Sequence, residues 1–157
     1  MADAVNMRLE IKGLPELLKR LKEVGADVEQ AVAASLLASA LTVAGDAKRR
    51  CPVRVVRGGN LKRSITATGA QEGTIAETSG SLPIQSVDGL AEQIRRTGQA
   101  EAYVATNVIY APSQEFLPYE HVYGESPYMR PALDENKTEV ERTFRRGLEQ
   151  VIRKAGG

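Results

Sequence analysis

Apolar and polar positions alternate strictly over Met7-Arg8-Leu9-Glu10-Ile11, and Gly13 closes the run, which predicts a first short strand. The period then changes. Leu14, Leu17, Leu18, Leu21 and Val24 recur at three- and four-residue steps among Lys19, Arg20, Lys22 and Glu23, with Pro15 where a helix can begin and Gly25 after its end. That pattern predicts a short amphipathic helix. Asp27 is placed to cap a second, much longer helix reaching about Arg50. Val28, Val32, Leu36, Ala40, Ala44 and Ala47 mark one face of it, and Leu37 and Leu41 mark another. A helix apolar on most sides is expected to be buried on most sides, and Ala33, Ala34, Ser35, Ala38, Ser39 and Ala40 would let a sheet or a helix approach closely. Lys48, Arg49 and Arg50 in the last turn complement the helix dipole, and Pro52 stops the helix.

From Ser64 the texture turns to Thr, Ile and alternating small polar residues, and strands are predicted over 64–68, 74–78 and 102–109. The Ser- and Gly-rich stretch 79–99 reads as an extended loop with one helical turn set near Val87 to Arg96, and loops of that length are usually functional or mobile. A last amphipathic helix is predicted from Pro131 to Lys154, with Leu133, Val140, Phe144, Leu148, Val151 and Ile152 on one stripe and Gly147 as an interruption costing about 1 kcal/mol against Ala. Helices segregated from a strand cluster imply an α+β fold: an antiparallel sheet packed on a long central helix, with a short N-terminal helix and a C-terminal helix. The 157 residues fit one domain, 1–157, with its extended loop at about 79–99.

Composition narrows the chemistry. The net charge is +1, yet Lys48 to Ile65 carries seven cations and no acid, so charge is segregated rather than absent. With two Phe, five Tyr and no Trp, the core must be aliphatic. The single cysteine, Cys51, excludes an intrachain disulfide and suits a reducing compartment. Met1 to Lys12 carries four charged residues and lacks the apolar core of a secretory signal. The uncharged run from Gln30 to Gly45 is shorter than the roughly 20 residues of a membrane span, so no membrane partner is expected.

Catalysis requires a placed base, nucleophile or metal, and the chain offers one His, one Cys and no cluster of ligand types. No enzyme activity, cofactor or metal is expected. His121 reads as a surface or interface histidine. Cys51, beside Arg49, Arg50 and Arg54, is either a thiol of lowered pKa or a small packed side chain. Asn136-Lys137-Thr138 matches a glycosylation acceptor but falls on a predicted helix. Glu115 and Glu120 form a candidate carboxylate pair in a Pro-flanked loop, for which a solvated or interface role is expected.

Three motifs in order carry a resemblance: Lys48-Arg-Arg-Cys-Pro-Val-Arg54 with Gly59-Asn-Leu-Lys-Arg-Ser-Ile65, then Tyr110-Ala-Pro-Ser-Gln-Glu-Phe116, then Pro127-Tyr-Met-Arg-Pro-Ala-Leu133. With the opening Leu9-Glu-Ile-Lys-Gly-Leu-Pro-Glu-Leu17, the chain resembles the tail-completion, or head-tail joining, family of long-tailed bacteriophages. The resemblance implies a structural virion protein: an α+β subunit that forms a homo-oligomeric, typically sixfold ring at the head-proximal end of the tail tube. Such a ring would terminate the tail, meet the tail tube protein on one side and the head-closure or connector protein on the other, and let genomic DNA pass through its lumen. It would assemble in the host cytoplasm and reside in the neck of the virion.

The motif residues are then assembly candidates: Lys48, Arg49, Arg50, Arg54, Asn60, Leu61, Lys62, Arg63, Tyr110, Glu115, Phe116, Tyr128 and Arg130. Gly58-Gly59-Asn60 is expected to reverse the chain so that a strand from Leu61 onward meets the long helix. Tyr110, Phe116 and Tyr128 are expected at interfaces, and the guanidinium of Arg130 is expected to pair with the carboxylate of Glu115. The sequence departs from the family pattern at Cys51, at Val55-Val56-Arg57, at Leu117-Pro118 and in the unmatched stretch 79–99. An alternative reading takes the basic segment 48–63 as the contact of a small nucleic-acid-binding protein.

Overall fold

The structure, a computed structural model, describes residues 5–10, 16, 19, 23, 27–52, 59–68, 86–106, 108, 110–117, 124 and 127–155. In chain order the elements are β1 (Val5–Glu10), α1 (Val28–Arg50), α2 (Asn60–Ser64), β2 (Thr66–Thr68), α3 (Val87–Thr97), β3 (Glu101–Thr106), α4 (Ala111–Phe116) and α5 (Met129–Ala155). The fold is α+β as expected, with an antiparallel sheet and the C-terminal helix both packed on a long central helix. Most of the expected N-terminal helix lies outside the described residues. Its described members Glu16 and Lys19 are helical, and the Glu23 amide donates to the Lys19 carbonyl.

The sheet has the order β1-β3-β2, with Met7 opposite Val104 and Ala67 opposite the same residue from the other side. Met7, Ala67, Ala102 and Val104 therefore share one face and join the core with α1. The opposite parity brings Arg8, Glu101 and Tyr103 together. There the Glu101 carboxylate pairs with Arg8 and accepts from the Tyr103 hydroxyl at 2.8 Å.

Helix α1 is long and apolar enough to pass for a membrane span, but 61% of its most apolar window is buried inside the fold. Its small side chains accommodate three neighbours: the sheet, α3 and α5. Against α5 the approach is close at Gly147, where an added Cβ would lie 1.8 Å from Ser35 Oγ and 3.0 Å from Ser35 Cβ. The interruption read in the sequence is thus the point at which two helices cross closely. Lower contacts such as Asn136 to Asp46 put the start of α5 at the end of α1, so the two helices run antiparallel.

Three expectations are corrected. Residues 60–64 form a helical turn, not the beginning of a strand. Gly59 takes φ +102° and its carbonyl accepts from Arg63 N at 2.9 Å, while Ser64 Oγ bonds back to the Leu61 carbonyl, so the strand begins only at Thr66. The helical turns expected near Val87 to Arg96 are present but amount to an eleven-residue helix, α3, within a stretch otherwise expected to be a loop; it is capped by Ser86 Oγ and ended by Gly98 at φ +70°. Leu90, Ala91 and Ile94 bury one face of it against α1, and this burial outweighs the Ser- and Gly-rich surroundings. The strand expected over 102–109 ends at Thr106, and Tyr110 begins α4 with a Pro in its first turn. The strand expected over 74–78 lies outside the described residues.

Candidate functional site

The end of α1, the turn α2, the helix α4 and the start of α5 converge around Cys51. The convergence begins from a helix that lacks a local cap. Helix α5 opens Tyr128-Met129-Arg130-Pro131, with no Ser, Thr, Asp or Asn at its threshold to accept the first free amides. Glu115 of α4 supplies that acceptor. Its Oε2 accepts from the amides of Tyr128 and Met129, and its Oε1 from that of Arg130, each at 2.9 Å. Pro131 carries no amide hydrogen, so the first turn is satisfied by one buried carboxylate placed where the helix dipole favours negative charge.

Below this clamp α1 is tied to α5. Asp46 accepts from Arg50 Nε at 3.1 Å, from Arg49 at 3.1 Å and from Asn136 Nδ2 at 2.9 Å, and Arg50 also pairs with Glu135. Burial alone would raise the Asp46 pKa, but the hydrogen bond and charge of Arg50, with Asn136 and Arg49, hold it below the ordinary value of 3.8. The Arg50 guanidinium is stabilised in turn, its pKa raised chiefly by the hydrogen bond to Glu135. Asn136, whose motif matches a glycosylation acceptor, spends its side-chain amide on Asp46 and on the Ala132 carbonyl.

Cys51 caps this arrangement from within. It is buried, and desolvation pushes its thiol up to about 12 in spite of nearby Lys62, so of the two readings the packed side chain holds. Gly124 lies across it at φ +92°, where a Cβ would stand 2.5 Å from Pro52 Cα and 2.6 Å from the Cys51 carbonyl oxygen. The Tyr128 hydroxyl is fully buried in the same region and its pKa is raised, first by burial and then by Cys51, Glu115 and Tyr110. Among the described residues, no three His, Cys, Asp or Glu side chains gather as a metal site.

This geometry sorts the sequence candidates. Leu61 and Tyr128, 3% and 0% exposed, pack in the core of the chain, where their bulk fills the junction. Arg50 is also turned inward: its side chain is 18% exposed against 71% for Arg49. The expected ion pair of the Arg130 guanidinium with Glu115 is corrected: the Arg130 backbone amide donates to Glu115, whose carboxylate serves the helix start, while the Arg130 side chain is exposed. Arg49, Asn60, Lys62, Arg63 and Arg130 face solvent, Lys48 is half-buried, and Asn60 Oδ1 accepts from Arg63 at 2.7 Å. Tyr110 and Phe116 are exposed by 45% and 65%, and Leu117 joins them at 47%. Arg54, Glu120 and His121 lie outside the described residues.

A model of the bacteriophage HK97 gp10-like family, described as a tail component, matches residues 15–116, from the expected N-terminal helix to the last residue of α4. The chain belongs to the HK97 gp10-like family of phage tail components. No curated protein and no solved structure matches it. As a tail component it is a virion-associated structural protein that interacts with other tail or virion proteins. The matched span holds the basic segment and the Tyr110–Phe116 motif, whereas the Pro127–Leu133 motif falls beyond it and is joined to it physically by Glu115. Sequence reasoning missed Asp46 and Gly124. Asp46 had a signal, as an acid four residues before Arg50 on one helix, and so did Leu117, as an apolar residue beside Phe116.

Proposed function

We propose that this tail component forms a ring at the head-proximal end of the phage tail tube, ends the tube and joins it to the connector of the filled head. It acts by binding, without catalysis, and DNA passes through the ring. The reading is carried by one observation: the family match ends on α4, and there Tyr110, Phe116 and Leu117 stand exposed on a helix pinned by a buried carboxylate. Large apolar residues held rigidly in solvent are what protein contacts use. A nucleic-acid-binding role is less well supported, since Arg50, one of the basic segment's cations, is spent on Asp46 and Glu135.

Electron microscopy of particles from a strain lacking the gene tests the proposal, with the intact gene supplied in trans as control. Filled heads separate from tails, or tubes of uncontrolled length, are expected. Normal virions would overturn it.

A further inference from the structure

The converging end of the molecule gathers cations whose local acids are already engaged. Lys48, Arg49, Lys62, Arg63 and Arg130 lie on α1, α2 and the start of α5, while Asp46 is shared by Arg50 and Arg49, Glu135 is held by Arg50 and Glu115 by three amides. The exposed Tyr110, Phe116 and Leu117 border them, because Glu115 fixes α4 directly to Arg130 and its two predecessors. The 48–65 segment holds seven of the chain's 21 cations and none of its 20 acids, so the rest of the chain carries 14 cations against 20 acids.

A described group of exposed acids lies at the other end of α1. Asp27 caps that helix, Asp88 accepts from Gln30 at 2.7 Å, and Glu92 shares Arg95 with Asp27, so these side chains set three negative charges against one positive. The ends are separated by the 23 residues of α1, about 34 Å.

We propose that the basic, apolar end of one copy docks on the Asp27, Asp88 and Glu92 end of the next copy. This rests on the reading of the chain as a ring-forming tail subunit and names the faces that meet. Charge decides the occupant. A two-fold contact through the basic end would oppose cation to cation, whereas a head-to-tail contact sets it against the acidic end, and head-to-tail contacts are those that close into rings. Phe116 and Leu117 supply the apolar centre of the contact and the charges its rim.

Two full-length variants test it, Lys62→Glu with Arg63→Glu, and Asp88→Lys with Glu92→Lys, together with the fourfold variant carrying both sets. All four side chains are exposed, and circular dichroism checks that the fold is kept. The readouts are native mass spectrometry of each protein at low and high salt, and tail assembly when each gene complements the strain lacking it. Each one-sided reversal is expected to weaken association about a hundredfold or more and to leave tails unassembled, and the fourfold variant to recover both. A fourfold variant no better than either half overturns the proposal, as do one-sided variants that assemble like the wild type. Loss on the basic side with a neutral acidic side also overturns it, and assigns the basic end to another protein or to nucleic acid. Normal tails in the strain lacking the gene would defeat the tail reading alone. Mass spectrometry would still decide whether the two ends of the free chain meet.

Discussion

Removing the Glu115 carboxylate isolates the clamp at the start of α5. In Glu115→Ala the amides of Tyr128 and Met129, both buried, lose their only acceptor and that of Arg130, part-buried, becomes free. Each buried orphan costs about 1–3 kcal/mol, so the change should destabilise the chain by about 4 kcal/mol. For a domain of this size that lowers the melting temperature by roughly 8–16 °C. Glu115→Gln is the sharper probe. Its carbonyl oxygen can keep the Tyr128 and Met129 bonds while its amide group faces the Arg130 N–H, so one bond and the charge assistance of the others are lost. A cost of about 2 kcal/mol, or roughly 4–8 °C, is expected. Thermal unfolding followed by circular dichroism measures both. Hydrogen exchange at residues 128–130 should quicken about thirtyfold in Glu115→Gln, the equivalent of 2 kcal/mol, with little change in β3. If Glu115→Ala melts with the wild type, the carboxylate does not hold this helix, and the placement of α4 needs another cause.

Three other perturbations follow from the geometry. Gly124→Ala should be far more damaging than Gly59→Ala. Both positions have positive φ, a strain of about 1–2 kcal/mol for Ala, but only at Gly124 does the new Cβ strike backbone, 2.5 Å from Pro52 Cα, and chemical denaturation of the two variants separates strain from clash. Gly147→Ala gains about 1 kcal/mol of helix propensity yet should lose stability overall by driving a Cβ into Ser35, and Ser35→Gly should rescue it, giving a coupling of at least about 0.5 kcal/mol in a double-mutant cycle. The lowered Asp46 pKa means that its contribution is complete above the ordinary value of 3.8 and is lost as the pH falls through the lower folded value. Asp46→Asn should therefore flatten the acid limb of the stability profile below about pH 4, measured by urea unfolding across pH.

Period and capping made the large elements legible. The apolar spacing of α1, with Asp27 before it and Pro52 after it, marks a buried helix, and strict alternation over 7–11 marks β1 to within two residues at its start. Short elements were less legible because their stability is borrowed from tertiary contacts. Helix α2 is one turn made possible by the positive φ of Gly59, and α4 is six residues long and held by α5. Helix α3 showed its place through Val87, Leu90, Ala91 and Ile94, but the Ser and Gly around it made it read as turns within a loop.

The division of labour among the motif residues was not legible at all, and the reason is chemical. Arg and Tyr suit a buried junction as well as an interface, because each has an apolar body and polar groups that can be satisfied on either side. Arg49 and Arg50 are neighbours on one helix and both reach Asp46, yet the 100° turn between them leaves Arg49 mostly in solvent and turns Arg50 inward to Glu135 as well. Tyr110 and Tyr128 divide in the same way across the Glu115 clamp, one half exposed and the other sealed. The carboxylate that sequence paired with the Arg130 side chain is therefore, through backbone amides instead, the residue on which the exposed face depends: with α4 released from α5, Phe116 and Leu117 would lose their fixed position beside Arg130. Glu115→Ala should then impair tail assembly even at temperatures where the subunit stays folded, whereas a stability defect of equal size placed at Gly147 should not. Complementation of the strain lacking the gene by the two variants, each at the same margin below its own melting temperature, separates a lost docking surface from a weakened fold.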